Sequence, residues 1–182
     1  MKPIVLNKVV EAPTIHSWNH AAVQIKSNPG QVYADVPAGK SIDINMRSCD
    51  ARFITFNQHK KIYNDIFNNI FPYVDYYQLN FNVDIFRRLE IQHTTYNVGG
   101  HYDFHTDVNV PLNGTQRKLS LILMLSNKDE YEGGNLILGN KHVELDMGDM
   151  IIFHSMHRHG VKPVTAGIRK TLVMWVSGPA WR

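Results

Sequence analysis

The chain has 182 residues, 43% hydrophobic and 19% charged, a balance that fits one folded domain and excludes a disordered chain. A net charge of +3, with no basic run, does not indicate a nucleic-acid partner, and no apolar stretch approaches the roughly 20 residues of a membrane-spanning helix. The single cysteine, Cys49, excludes an internal disulfide and suits a reducing compartment; the apolar stretch before Pro13 is too short for a signal peptide, so the expectation is a cytoplasmic protein.

Taken in chain order, the first 50 residues carry short β-type runs, IVL and VYADV, separated by the breakers Pro29-Gly30 and Pro37-Ala-Gly39. A helix is predicted from about Asn57 to Phe71. Ile62, Ile66, Phe67, Ile70 and Phe71 recur at helical spacing, Asn57 is placed to cap it and Pro72 to stop it. That apolar stripe reads as a core-facing helix. Beyond residue 80 the texture changes to short segments rich in Ile, Leu, Val, Thr and aromatics: FRRLEIQHTTY, KLSLILML, NLILG, HVEL, DMIIFH, HGVKPV and RKTLVMWV. Gly, Asn and Asp clusters separate them, as at Asn97-Val-Gly99-Gly100, Gly133-Gly134 and Gly148-Asp149. The pattern predicts a β-sandwich or open barrel with helical support on one face. KLSLILML, nearly continuous in apolar residues, is expected mid-sheet and buried on both faces.

The chemistry concentrates in HYDFHTDV, residues 101–108. In a strand, residues i and i+2 point to one side, so His105 and Asp107 can converge on one ion. A non-heme Fe(II) facial triad then needs one more histidine from a distant strand. His101 and Asp103 form a second H-x-D pair, and His154, His157 and His159 lie together in one later segment as candidates for the distant ligand. His157 shares a face with His159 if that strand is regular.

Longer patterns surround these residues. Tyr96 to Asp107 reads Y-x-x-G-x-x-Y-x-x-H-x-D; Tyr131-Glu-Gly133-Gly134-Asn135-Leu136 follows. Then come Gly148-Asp149 with Phe153, His159-Gly-Val161-Lys-Pro163, and Gly167-Ile-Arg169. With these five ordered motifs, residues 86–178 resemble a 2-oxoglutarate- and Fe(II)-dependent dioxygenase of the prolyl 4-hydroxylase-like superfamily, in its minimal bacterial or phage type. Asn135 stands where that family commonly has an acidic residue.

The resemblance implies a mainly β fold, a double-stranded β-helix (jelly roll, cupin-like) with supporting N-terminal helices. It would form a single domain over residues 1–182, with about 1–85 as supporting region and about 86–178 as catalytic core. It implies His105, Asp107 and His159 as metal ligands, with His157 as the competitor for the last role. Arg169 would hold the distal carboxylate of 2-oxoglutarate, for which a guanidinium fork is suited. Tyr96 would hydrogen-bond the same cosubstrate. Tyr102 and Trp175 would lie on the substrate side, although core packing is an equally ordinary role for aromatics in strands. His101 is expected as a loop residue near the mouth.

The reaction implied is hydroxylation coupled to decarboxylation of 2-oxoglutarate to succinate, using Fe(II), O2 and, as an optional reductant, ascorbate. The substrate would be a prolyl or other amino-acid residue of a peptide or protein, or a free amino acid, chosen by loops around 30–50 and 108–117. Two alternatives belong to other classes: a nucleic-acid oxidative demethylase and a non-catalytic jelly-roll binding module. Against the first, the position six residues after Arg169 holds Trp175 rather than a second arginine. Against the second, all the ligand-type residues are present. A zinc hydrolase would leave Arg169 without a role and lacks an evident general base.

Overall fold

The structure is a computed structural model that describes residues 2–30, 32–33, 40–41, 43, 45–109 and 111–181. Residues 34–39, which include most of VYADV and the Pro37-Ala-Gly39 breaker, and parts of both loops expected to select substrate lie outside the described residues.

The chain opens with β1 (Ile4–Leu6), α1 (Ala12–Val23) and the short strands β2 (Asn28–Pro29), β3 (Val32–Tyr33), β4 (Lys40–Ser41) and β5 (Arg47–Ser48). β6 (Asp50–Ile54) and the long α2 (Lys60–Phe81) complete the first half. The second half is nearly all strand: β7 (Glu90–Tyr96), β8 (His101–His105), β9 (Thr115–Met124), β10 (Tyr131–Gly133), β11 (Leu136–Leu138) and β12 (Lys141–Val143). β13 (Met150–His154), β14 (His159–Val161), β15 (Val164–Gly167) and β16 (Arg169–Pro179) follow. Seven strands form one sheet in the order β1-β13-β9-β16-β7-β6-β2, and five form a second in the order β12-β11-β14-β8-β5. This is the jelly roll, with the helices on the outer face of the larger sheet.

The period-two alternation of a strand explains how β9 is buried twice over. Leu119, Leu121 and Leu123 pack with Ile66, Ile70 and Phe71 of α2 and with Leu172 and Met174 of β16 in the helix-side core. Ile122 and Met124 point the other way, into a second core between the sheets with Phe153, Leu136 and Val161. Each such side chain stabilises the fold by about 1.5–3 kcal/mol on burial. The apolar run of KLSLILML therefore serves two cores rather than one.

Two helical expectations are corrected. α2 starts at Lys60 with His59, not Asn57, in the capping position, and it does not stop at Pro72 but runs through it to Phe81. A helix-interior proline costs about 3 kcal/mol, through one lost hydrogen bond and a steric clash. Beyond it, Val74 and Phe81 bury fully against the core, which offsets that cost by a similar amount. The helix ends where Asn82 adopts the left-handed conformation, φ 46°. α1 matches the general expectation of supporting N-terminal helices, but no residue pattern placed it at Ala12–Val23. Pro13 lies in its first turn, where proline is tolerated, and Ile15, Trp18 and Ala22 form its buried stripe. Trp18 also donates from Nε1 to Asp65 Oδ2 at 2.6 Å, joining the two helices.

Candidate metal and cosubstrate site

The concave side of the jelly roll gathers polar residues from both sheets. His105 ends β8 and His159 begins β14, and the two are directly paired across the smaller sheet. Asp107 lies just past β8, so strand alternation does not place it. Its backbone N–H donates to Ser155 O at 2.9 Å, and its Oδ2 accepts from Ser120 Oγ of β9 at 2.7 Å. Ser120 and Ser155 are themselves linked through their hydroxyls at 3.0 Å. Both serines are fully buried, and neither was singled out in the sequence, where nothing distinguishes them from ordinary strand residues.

These anchors bring three donors together. One ligand-type atom from each of His105, Asp107 and His159 lies within 4.8 Å of the others, the only such group of three among the described residues. His159 Nε2 is 3.3 Å from Asp107 Oδ2, and His105 Nε2 is 3.5 Å from Asp107 Oδ1. Each imidazole donates its Nδ1–H to a backbone carbonyl: His105 to Asp103 O at 2.7 Å and His159 to His157 O at 2.9 Å. Those bonds fix the tautomer and leave both Nε2 lone pairs facing the carboxylate, the arrangement a cation needs.

The charges agree with that reading. Burial would raise the carboxyl of Asp107, yet the two imidazoles outweigh it and hold Asp107 well below the usual carboxylate range. Burial pulls His105 below its ordinary value, keeping it neutral. For His159 burial acts in the same direction, but Asp107 prevails and raises it. The donor set is thus an anion with two imidazoles, a fit for a divalent metal such as Fe(II).

The other histidines of the region are placed elsewhere. His154 stacks on Trp181, centroids 4.8 Å apart, and His157 sits in the turn after β13, its Nδ1 3.3 Å from His154 O. His101 is not in a loop but within β8, opposite Ser48 of β5, with its ring nitrogens 2.9 Å from Gly99 O and 3.0 Å from Asn45 O. Asp103 is exposed, and its N–H is bonded to Met46 O.

Deeper in the same cleft, Arg169 opens β16 at 1% exposure. Its Nε and Nη2 have no partner within the described protein, although Tyr131 is hydrogen-bonded to the guanidinium. Burial lowers its affinity for a proton, with Tyr96 and Tyr131 opposing that. Two orphaned donors of a buried cation are what the distal carboxylate of a small oxo-acid would satisfy, so the residues fit 2-oxoglutarate. Tyr96, 2% exposed, lies with its ring centroid 5.4 Å from the guanidinium carbon. Gly134 makes room for Arg169: at φ +60° a Cβ there would fall 2.7 Å from Arg169 Cδ. Gly134 therefore serves as the backing for the arginine, whereas the adjacent Gly133 packs closely against the backbone of Pro163 and Thr165.

Tyr102 stacks on His105 with ring centroids 3.5 Å apart, and Arg47 of β5 sits 4.5 Å above the tyrosine ring. Trp175 is 5% exposed and lines the cleft alongside Thr171, Val173 and Val161. Arg117 covers the Trp175 ring at 3.8 Å. Arg47 and Thr171 are cleft residues that carried no sequence signal, because each reaches the site only through strand pairing.

Residues 91–177 match the 2OG-Fe(II) oxygenase superfamily, a span that includes every residue of the donor set and Arg169. A PKHD-type hydroxylase of Stenotrophomonas maltophilia is 45% identical over 89 residues, 44% of this chain; the match spans 40% of that relative's length. Among solved structures, a Pseudomonas putida prolyl-4-hydroxylase superposes with a TM-score of 0.76 at 16% identity, covering 98% of this chain and 93% of that one. A prolyl hydroxylase from Trichoplax adhaerens, solved with a peptide fragment of hypoxia inducible factor, gives 0.69 at 18% identity, covering 96% and 82%. At such identities the superpositions establish the fold. With this sequence match set in the jelly roll around it, the core at residues 91–177 is that of a 2OG-Fe(II) oxygenase by sequence, and the match spans less than half the length of the curated relative.

Proposed function

We propose that the chain is an Fe(II)- and 2-oxoglutarate-dependent hydroxylase acting on a prolyl or other amino-acid residue of a peptide or protein. The observation that carries this is a two-histidine, one-aspartate cluster sharing one cleft with a buried arginine whose Nε and Nη2 lack partners. A metal-only binding site would not need the second feature, and a structural arginine would not leave two donors bare. The PKHD-type relative and the peptide-bound prolyl hydroxylase support a peptidyl substrate.

In this reading His105, Asp107 and His159 hold the metal, and Ser120 with Ser155 keeps the aspartate in place. Arg169 grips the far carboxylate of 2-oxoglutarate, with Tyr96 beside it. The chemistry supplied by bound Fe(II), 2-oxoglutarate and O2 is hydroxylation of a C–H bond: one oxygen atom enters the alcohol, the other enters succinate, and CO2 leaves. Ile122, Val161 and Val173 line the cleft with hydrocarbon and exclude water around the reacting carbon. Tyr102 and Trp175 stand at the substrate side.

Purified protein supplied with Fe(II), 2-oxoglutarate and O2 should form succinate slowly, and faster with proline-containing peptides. His105→Ala and Asp107→Ala should abolish both rates. Succinate formation that survives in both variants would refute the proposed metal site. Iron binding without any 2-oxoglutarate turnover would favour a non-catalytic module instead.

A further inference from the structure

The strand that lines the proposed catalytic cleft also borders a second hollow, of about 350 Å3. It opens where β6 ends and β7 begins, between the start of α2 and the segment leading into β7. Its rim holds Phe53, Phe56 and Phe86, which are 38%, 46% and 47% exposed. They are three of the four exposed phenylalanines among the described residues. Single exposed apolar side chains are ordinary, whereas several around one concavity mark a contact surface. The alternation of β6 explains the arrangement: Ile54 enters the helix-side core, so Phe53 faces away from it.

Trp175 is the wall shared by this hollow and the metal cleft. It is paired across the sheet with Glu90 on one side and Ser120 on the other, and Ser120 holds Asp107. The hollow is therefore adjacent to the proposed catalytic site, with Trp175 between them and one strand pairing and one hydrogen bond leading from that wall to Asp107. Its rim charges are uneven. Arg117 is bonded to Glu90 through both Nε and Nη2. Arg88, which also lines the hollow, is exposed and has no ion pair among the described residues.

We propose that this hollow is a substrate subsite that receives a large apolar side chain of the peptide, flanked by an acidic residue that meets Arg88. The proposal rests on the hydroxylase reading only for which residue reaches the metal; the pocket, its aromatic rim and its charge stand independently. A peptide carrying a Phe-Asp pair at the right distance from its proline would lie along the concave face with Trp175 between the two sites.

The test uses the protein with Fe(II) and 2-oxoglutarate under argon, so that no turnover occurs. Fluorescein-labelled proline peptides, in which a Phe-Asp pair is walked along a Gly/Ser background, are titrated by anisotropy. One register should bind about tenfold more tightly than its Ala-Asn counterpart, the effect of burying one phenylalanine. Phe53→Ser with Phe86→Ser should erase the difference, and Arg88→Glu should reverse a preference for Phe-Asp over Phe-Lys; circular dichroism verifies that the variants are folded. Equal affinity in every register, or a preference that survives the variants, would overturn the subsite. So would light scattering that shows a dimer dissolved by the double variant, since the hollow would then be covered by a second copy. Succinate formation by the wild-type protein, measured separately in air, tells the two readings apart: preference without turnover defeats the hydroxylase, and turnover without preference defeats the subsite.

Discussion

Arg169→Met, measured without metal or cosubstrate, discriminates between a ligand-binding and a structural arginine. An arginine buried to 1% that served the fold would have all its donors paired, and removing it would cost about 3–5 kcal/mol. Here Nε and Nη2 are bare, and each unsatisfied buried donor costs about 1–3 kcal/mol, or about 2–6 kcal/mol for the pair. Methionine removes that cost while losing the bond with Tyr131, about 1.5–3 kcal/mol, and the contact with the Tyr96 ring, about 0.5–2 kcal/mol. The sums nearly cancel, so the variant should unfold in urea within about 1 kcal/mol of the wild type. With Mn(II) and 2-oxoglutarate at about a hundred times its dissociation constant, the wild type should gain about 2.7 kcal/mol and the variant none of the cosubstrate's share. A loss above about 3 kcal/mol without ligands, or an undiminished gain with them, would refute the assignment.

Other residues carry separable expectations. His93 is fully buried, its Nε2 is bonded to Asn19 Oδ1, and burial with Arg52 and Lys170 nearby lowers its pKa from 6.5 to about 4. As pH falls below 6.5 the unfolded chain takes up a proton that the native state refuses, so stability drops until pH 4; between about pH 7.5 and 5 the loss is about 2 kcal/mol. Urea midpoints for the wild type against His93→Gln should differ in slope over that window, and parallel curves would contradict it. Ser120→Ala should weaken metal binding about 10- to 100-fold, read by competition with a fluorescent chelator, while leaving the fold intact. Gly134→Ala sets a Cβ 2.7 Å from Arg169 Cδ at φ +60° and should impair 2-oxoglutarate affinity more than metal affinity, which calorimetry resolves.

Much of the site was legible because its residues are locally ordered. Tyr96, Tyr102, His105 and Asp107 lie within twelve positions, close enough for a linear motif to group them, although Asp107 lies past the end of β8 and is placed by Ser155 and Ser120 rather than by strand alternation. The choice among His154, His157 and His159 needed strand pairing: His159 is the one set opposite His105 in the smaller sheet. Ser120, Ser155 and Arg47 were invisible for the same reason, since serines and arginines in strands have no pattern until a partner strand faces them. In the fold, the strands after residue 80 followed their turn signals. The helices did not: local proline rules forecast a stop at Pro72 and overlooked a start at Pro13, whereas burial of Val74, Phe81, Ile15 and Trp18 decided both.

β16 acts as a ruler. Arg169 and Trp175 are six residues apart on one strand whose pairing with β7 is unbroken over that stretch, so at about 3.3 Å per residue their Cα atoms stand roughly 20 Å apart. A rigid strand cannot shorten or lengthen that span, which sets how far Trp175, the wall between the two hollows, stands from Arg169. Molecules reaching from one to the other are thereby selected by length before any side chain is read. Inserting a single residue between the two would exchange the faces of the strand beyond it, turning Trp175 to the helix side and Val176 from the helix-side core to the cleft, so this interval tolerates substitution far better than a change in length.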